Sequence, residues 1–248
     1  VVNDCAGFYT TRILAPYLVE ATSMLLEGYS IQDIDRAAEE VGFPVGPITL
    51  MDEVGIDVGA KVTAIMKEHY GDRMWFPDDQ MVQKFIAEKR LGRKASKGFY
   101  LYKNGESVVE DGVKRVDPEA MKHLPPGTPK QGGSRQKLGQ RLLLTMLNEA
   151  AYCLHEGILR DPYSGDLGAV MGLGFPPFEG GPFRYIDRIG PAAIVGQLEK
   201  LVFEFGERFH PRPIFQRLVD ADERIYDRYV AESDERGEKI EEEPGAVT

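Results

Sequence analysis

Gly42-Phe43-Pro44-Val45-Gly46-Pro47 and Gly174-Phe175-Pro176-Pro177-Phe178-Glu179-Gly180-Gly181-Pro182 decide how this chain is read. Both stretches open on Gly-Phe-Pro and close on Gly-Pro, and the second carries three inserted residues. Outward from them the correspondence continues in order. Glu20-Ala21 and Glu27-Gly28 reappear as Glu149-Ala150 and Glu156-Gly157. Asp52 and Gly55 reappear as Asp187 and Gly190, and Gly71-Asp72-Arg73 as Gly206-Glu207-Arg208. So many ordered matches imply one duplicated unit.

Each unit reads as the same string of helices. A long helix is expected over roughly 8–27, with Ile13, Leu14, Tyr17, Leu18, Ala21, Met24 and Leu25 on one face. Its partner is expected over roughly 138–159, striped by Leu143, Leu147, Ala150, Leu154 and Ile158. Ser30 followed by Asp33 resembles a capping box ahead of Ile31, Ile34, Ala38 and Val41. Pro44 and Pro176 disfavour helix at the preceding phenylalanine, so each triplet is a stop. Pro47 and Pro182 suit the first turn of a following helix, where the missing N–H costs nothing. A further amphipathic helix then runs through Val58, Val62, Ile65 and Met66, and in the second unit through Ile194, Val195, Leu198, Leu201 and Val202.

The strand signal is short. Gly98-Phe99-Tyr100-Leu101-Tyr102 is β-prone, and Lys103-Asn104-Gly105 reads as a turn into one small hairpin with Val108-Val109. The expected fold is therefore all-α, a duplicated helical domain with one small β-hairpin. Its divisions are a first helical domain over 1–103, a linker over 104–137, a second helical copy over 138–232 and an acidic, mobile tail over 233–248. Val1-Val2-Asn3-Asp4 reads as the end of a strand leaving a larger body.

Composition narrows the function. The 248 residues are 42% hydrophobic, enough for a real core, and carry a net charge of -10. That charge repels phosphate backbones, which argues against nucleic acid. No apolar run approaches the ~20 residues of a membrane span. Cys5 and Cys153 form no disulfide framework and suit a reducing compartment.

Reaction-bearing motifs are scarce. The nearest approach to a dinucleotide loop is Gly172-Leu173-Gly174-Phe175-Pro176-Pro177, where a proline stands in the third glycine's place and offers no N–H. Ser134-Arg135-Gln136-Lys137 matches S-x-x-K by letter only, within a linker. His69, His123, His155 and His210 are scattered and show no metal spacing, so no metal is expected. Three features stand out. Thr10-Thr11-Arg12 lies on the polar side of the first helix, as a solvated face or a ligand contact. Arg93, Lys94 and Lys97 form a basic knot, read more readily as a charged turn than as a contact for a CoA phosphate. Met171 to Pro182, with Phe175, Phe178 and Phe183 beyond, is a rigid turn packed on the core or a wall for an acyl chain.

Ala6-Gly7-Phe8-Tyr9-Thr10-Thr11-Arg12, Gly42-Phe43-Pro44-Val45-Gly46-Pro47 and Leu50-Met51-Asp52-Glu53-Val54-Gly55-Ile56-Asp57 resemble the C-terminal domain of 3-hydroxyacyl-CoA dehydrogenases. Gly92-Arg93-Lys94 with Lys97-Gly98-Phe99-Tyr100 resembles that domain's closing motif. The second copy, through Gly180-Gly181-Pro182-Phe183-Arg184, resembles the extra domain of the fused fatty-acid oxidation proteins, and the likeness covers about residues 1–230. Single-function members carry one such domain and dimerise through it, so the duplication resembles that dimer fused into one chain.

The resemblance implies a parent that oxidises 3-hydroxyacyl-CoA with NAD, and that carries an enoyl-CoA hydratase as well. The catalytic His–Glu pair and the NAD site would lie in a Rossmann domain upstream, so no catalytic or cofactor-binding residue is expected in this chain. The family's acyl-CoA contacts carry over to Thr11 and Met171. Many members place Asn where Thr11 stands, and some place Tyr where Met171 stands. Threonine keeps a hydroxyl but loses the amide's paired donor and acceptor, and methionine keeps bulk without the hydroxyl. Ala6 replaces the usual proline before Gly7. The implied partners are acyl-CoA, a thiolase β-subunit and a second copy of the parent. The implied compartment is the bacterial cytoplasm, or a mitochondrion or peroxisome for a eukaryotic source. Two rivals stand beside this reading: a non-enzymatic helical dimerisation module, and the helical half of another Rossmann-linked dehydrogenase.

Overall fold

The computed structural model describes residues 2–71, 73–125 and 134–229. The first copy comprises α1 (Thr10–Leu26), α2 (Ile31–Val41), α3 (Pro47–Val54), α4 (Ile56–Tyr70) and α5 (Gln80–Ala87). The second comprises α7 (Arg135–His155), α8 (Pro162–Leu173), α9 (Pro182–Ile189), α10 (Pro191–Phe205) and α11 (Pro213–Ala221), then a helical turn over 225–229. Between them lie β1 (Tyr102–Lys103), β2 (Glu106–Ser107), β3 (Val109–Glu110), β4 (Val113–Lys114) and a short α6 (Pro118–Met121). No helix among the described residues is long and apolar enough to cross a membrane.

The local signals act as the sequence suggested. Ser30 caps α2 by accepting from the Asp33 N–H, and Pro47 and Pro182 open α3 and α9. Gly42 and Gly174 end α2 and α8 at φ of 115° and 70°, left-handed values that cost a side chain but not glycine. The following phenylalanine N–H reaches back five residues to Ala38 O in the first copy, closing a Schellman turn, and six residues to Ala169 O in the second, closing a wider one.

α1 and α7 cross at the centre of the molecule. α2 packs on α7 and α8 on α1, so each copy lays its second helix on the first helix of the other. The two Gly-Phe-Pro triplets meet there, with the Phe43 and Phe175 rings edge to face at 5.9 Å. A methyl added at Gly174 would press on Pro44, and one at Gly42 on Phe178. Buried residues of both copies join one core, in which Tyr17, Met24, Ile34, Leu147, Phe175 and Phe183 are sealed from solvent.

Three expectations change. First, the stretch after the β-prone run forms two hairpins, Tyr102–Lys103 with Glu106–Ser107 and Val109–Glu110 with Val113–Lys114. The second turns at Asp111-Gly112, both at positive φ, a turn signal equal to Asn104-Gly105. Second, the apolar face expected on α4 is largely bare: Met66 is sealed, but Val58 and Ile65 are 40% and 50% exposed. The matching stripe of α10 is covered, with Ile194 and Leu198 sealed. Periodicity shows that a face is apolar, not that a neighbour covers it. Third, Arg12 is 1% exposed and lies on no solvated face. The glycine- and proline-rich stretch 126–133 and the acidic tail 233–248 lie outside the described residues.

Candidate functional site

Four aspartates, two in each copy, latch the elements of that copy to one another. Asp35 on α2 accepts from the N–H groups of Ile48 and Thr49 at the start of α3, at 2.7 and 3.0 Å, and from the Tyr100 hydroxyl. Asp166 on α8 does the same at α9, accepting from Phe183 and Arg184 N–H and the Tyr226 hydroxyl. Asp52 takes the N–H groups of Phe99 and Tyr100, as Asp187 takes those of Ile225 and Tyr226. Each latch thus answers two otherwise orphaned backbone donors with one carboxylate. A methyl at Gly46 would overlap Asp35, and one at Gly181 would overlap Asp166. Glycine is needed at both for the close approach of the carboxylate. Burial pushes Asp52 and Asp166 up to about 6 and raises Asp35, while the donors pull each of them back down.

Across the central crossing, the copies exchange ion pairs reciprocally. Arg12 of α1 reaches Glu149 of α7 at 2.7 Å and also Glu156. Arg141 of α7 reaches Glu20 of α1 at 2.9 Å and Glu27 at 2.9 Å. Arg73 adds a two-pronged pair to Glu149, and Arg208 reaches Glu20 at 2.8 Å. Residue i pairs with j and j's counterpart pairs with i's, which is the signature of an isologous interface. Arg12, Arg141, Glu20 and Glu149 are each 2% exposed or less. The internal repeat matches Glu20 with Glu149 and Arg73 with Arg208, but their pairing across the crossing joins residues far apart in the chain and leaves no local mark in the sequence.

Thr11 and Met171 sit at one end of this crossing. The turn through Gly7 and Phe8 delivers α1, with Phe8 N–H bonded to Cys5 O. Tyr9 is buried against Gly168 of α8, and a methyl at Gly172 would stand 3.2 Å from Thr10 Cγ2. The first turn of α1 therefore abuts the last turn of α8. Thr11 is half-buried and Met171 is 79% exposed. Phe175 and Phe183 are core residues, whereas Phe178 is 73% exposed.

Met171 ends a stripe. Tyr163, Leu167 and Met171 lie four residues apart on α8 and are 58%, 51% and 79% exposed. With Asp35 matched to Asp166, the same places on α2 hold Gln32, Arg36 and Glu40. The outer face of the second helix is polar in the first copy and apolar in the second. Beside the stripe lies an open groove of about 400 Å³ lined by Tyr163, Asp166, Leu167, Phe178, Arg184 and Tyr226. Neither Thr11 nor Met171 lines it.

The basic knot is already occupied. Arg93 pairs with Glu53 and Glu106, Lys94 with Asp57, and Lys97 donates to the Glu88 carbonyl. It is a charged turn. His123 lies 3.1 Å from Glu88, and His69 occupies the last turn of α4, where a cation suits the helix dipole.

Comparisons with known proteins agree with this double architecture. The sequence matches the model of the family described as 3-hydroxyacyl-CoA dehydrogenase, C-terminal domain, over residues 7–102 and again over 138–225. It is 46% identical over 226 residues to the fatty acid oxidation complex subunit alpha of Shewanella amazonensis, covering 91% of this chain and 31% of that protein. It is 49% identical over 220 residues to the subunit of the same name from Idiomarina loihiensis, covering 89% of this chain and 30% of that one. The chain therefore spans about a third of the length of these relatives. The fold resembles 3-hydroxybutyryl-CoA dehydrogenase from Escherichia coli, with TM-score 0.67 and 22% identity over 89% of this chain and 61% of that one. It also resembles the dehydrogenase part of multifunctional enzyme 1 from C. elegans, with TM-score 0.60 and 24% identity over 87% of this chain and 48% of that one.

Proposed function

Since the chain belongs to the 3-hydroxyacyl-CoA dehydrogenase C-terminal domain family, in two copies, we propose that it is the helical part of an α-subunit of a fatty-acid oxidation complex. The parent oxidises L-3-hydroxyacyl-CoA to 3-oxoacyl-CoA with NAD. The observation that carries this is the double family match, laid onto two copies cross-paired through Arg12–Glu149 and Arg141–Glu20. The chain supplies the acyl-CoA side of the site and the scaffold that holds the pseudo-dimer.

NAD does not fit these residues. The strands among the described residues are two antiparallel pairs, whereas a dinucleotide cradle needs a parallel strand feeding a glycine turn and a helix. Gly172-Leu173-Gly174 instead terminates α8, and the prolines after it offer no N–H to a pyrophosphate. The cofactor and the His–Glu pair belong to a part of the parent outside these 248 residues.

Thr11 and Met171 are the substrate contacts of this reading. Thr11 brings a hydroxyl able to donate and accept at the mouth of α1. Met171 brings an exposed, adaptable apolar surface for the acyl chain, continued along α8 by Leu167 and Tyr163. In the full-length α-subunit, Thr11→Val and Met171→Ser each raise KM for 3-hydroxyacyl-CoA about tenfold with kcat nearly unchanged, as removal of uniform binding does. Unchanged KM in both variants removes these residues from the site. The 248-residue chain alone does not oxidise 3-hydroxyacyl-CoA with NAD, and turnover by it would overturn the division of labour. A thiolase β-subunit, a second copy of the parent and the bacterial cytoplasm complete the assignment.

The rival, a dimerisation module without ligand, is favoured by one observation: the best-built polar contacts lie inside the crossing, not around Thr11. The KM experiment separates the two.

A further inference from the structure

The two ion-pair groups at the α1–α7 crossing are related by the internal symmetry but are unequal in charge. On the Glu20 side, Arg141 and Arg208 face Glu20 and Glu27. On the Glu149 side, Arg12, Arg73 and Arg212 face Glu149 and Glu156. The extra cation is Arg212. With Arg73 matched to Arg208, its counterpart in the first copy is Pro77, which carries no charge.

Arg212 is also the least well paired of the five. Its Nη2 donates to the Arg73 carbonyl at 3.2 Å and lies 3.7 Å from Glu149, beyond hydrogen-bond reach. Its Nε–H is buried with no protein partner. A buried donor left unmade is expensive, and more so on a charged group. Burial lowers the Arg212 pKa, the reverse of Arg141, where hydrogen bonds and charge from Glu27 and Glu20 outweigh burial and raise it.

Arg212 lines a small cavity between the two groups, together with Arg73, Arg208, Glu20, Glu149 and Trp75. Its volume is about 30 Å³. That admits one body the size of a water molecule. It is too small to enclose a sulfate, a phosphate or a carboxylate-bearing metabolite. Each carboxylate on its wall is already engaged by an arginine at under 3.0 Å, Glu20 by Arg208 and Glu149 by Arg73. Three guanidinium groups with one charge in excess leave the cavity favourable to a monovalent anion.

We propose that this cavity is a binding site for a small inorganic anion of the chloride class, held by Arg212 with Arg73 and Arg208. The anion neutralises the surplus charge of the Glu149 side and ties α11, which begins at Pro213, to the crossing. It makes the scaffold's stability depend on chloride, independently of the proposed substrate contacts.

The test is thermal unfolding of the 248-residue chain at constant sodium, with chloride replaced by gluconate, which is too large for the cavity. Chloride raises Tm along a saturating curve, by about 2–4 °C at several times its dissociation constant. Arg212→Gln abolishes the chloride dependence. Coincident chloride and gluconate curves overturn the proposal, as does an Arg212→Gln variant that folds and keeps the full chloride response. Crystals of the unaltered chain soaked in bromide give an answer that needs no variant. An anomalous peak inside the cavity supports the site, and peaks at surface positions only reject it.

Discussion

Asp52 and Asp166 are carboxyl groups sealed inside a protein and still asked to accept backbone hydrogen bonds. Burial disfavours their charged form and their donors favour it, and burial wins, leaving both near 6. The usual value is 3.8, so the folded state holds these protons more tightly than the unfolded chain does. The stabilisation this brings is complete below 3.8 and is lost as pH rises through about 6. Within that window each carboxyl lowers stability by at most about 1.4 kcal/mol per pH unit. Carbon-detected NMR of the aspartate side chains is expected to show two midpoints near 6 that vanish in Asp52→Asn and Asp166→Asn. Midpoints near the ordinary carboxylate value would remove the window. The latch residues could be located in the sequence for Asp52 and Asp187, which repeat beside Gly55 and Gly190. Asp35 and Asp166 do not stand out in the repeat, because one is 11 residues before Gly46 and the other 15 before Gly181.

At the scale of the element, helix boundaries were the most legible feature. Proline at the first turn, Ser30 at a cap and glycine in the left-handed region act on their own backbone, so a local string suffices to place them. What the element does with its faces is less local. Gly46 illustrates this: it precedes Pro47 as an ordinary cap in extended geometry, yet its missing side chain is what lets Asp35 reach the N–H groups of α3. Gly46→Ala is expected to lower stability by about 1–3 kcal/mol through overpacking, although alanine has no conflict with the backbone there. Urea unfolding measures this, and a loss under about 0.5 kcal/mol, the size of an ordinary surface change, would show that α2 and α3 separate freely. α4 teaches the same lesson from the other side, since its stripe has the right period and no neighbour over Val58 and Ile65.

Over the whole molecule, the crossing of α1 and α7 is where the duplication becomes a structure. Its arginines and glutamates are buried, and a buried pair contributes less than breaking it costs. Arg141→Met is therefore expected to destabilise by about 3–5 kcal/mol, since Glu20 is left 1% exposed with less compensation. Adding Glu20→Leu should recover a large part of that loss, because no uncompensated charge remains at that position. A double-mutant cycle in urea reads both numbers, and strict additivity would show that the pair is not coupled. The same reasoning applies to Arg12 and Glu149 by the internal symmetry.

The amino-acid string alone determined that this protein is two copies of one helical unit, where several of the helices start or stop, and which family they resemble. Those conclusions rest on order, spacing and backbone chemistry, all of which act within a few residues. Only the tertiary structure decided that Arg12 is a buried tie and not a solvated or ligand-facing residue. Its partner Glu149 lies 137 residues away, and Arg141 finds Glu20 at a separation of 121. The tertiary structure also decided that α8 shows an apolar outer face where α2 shows a polar one, and that Arg212 adds an unmatched charge to one side of the crossing. An arginine in a helix has the same local chemistry whether water or a carboxylate awaits its guanidinium. Which of the two it meets is settled by how distant helices pack.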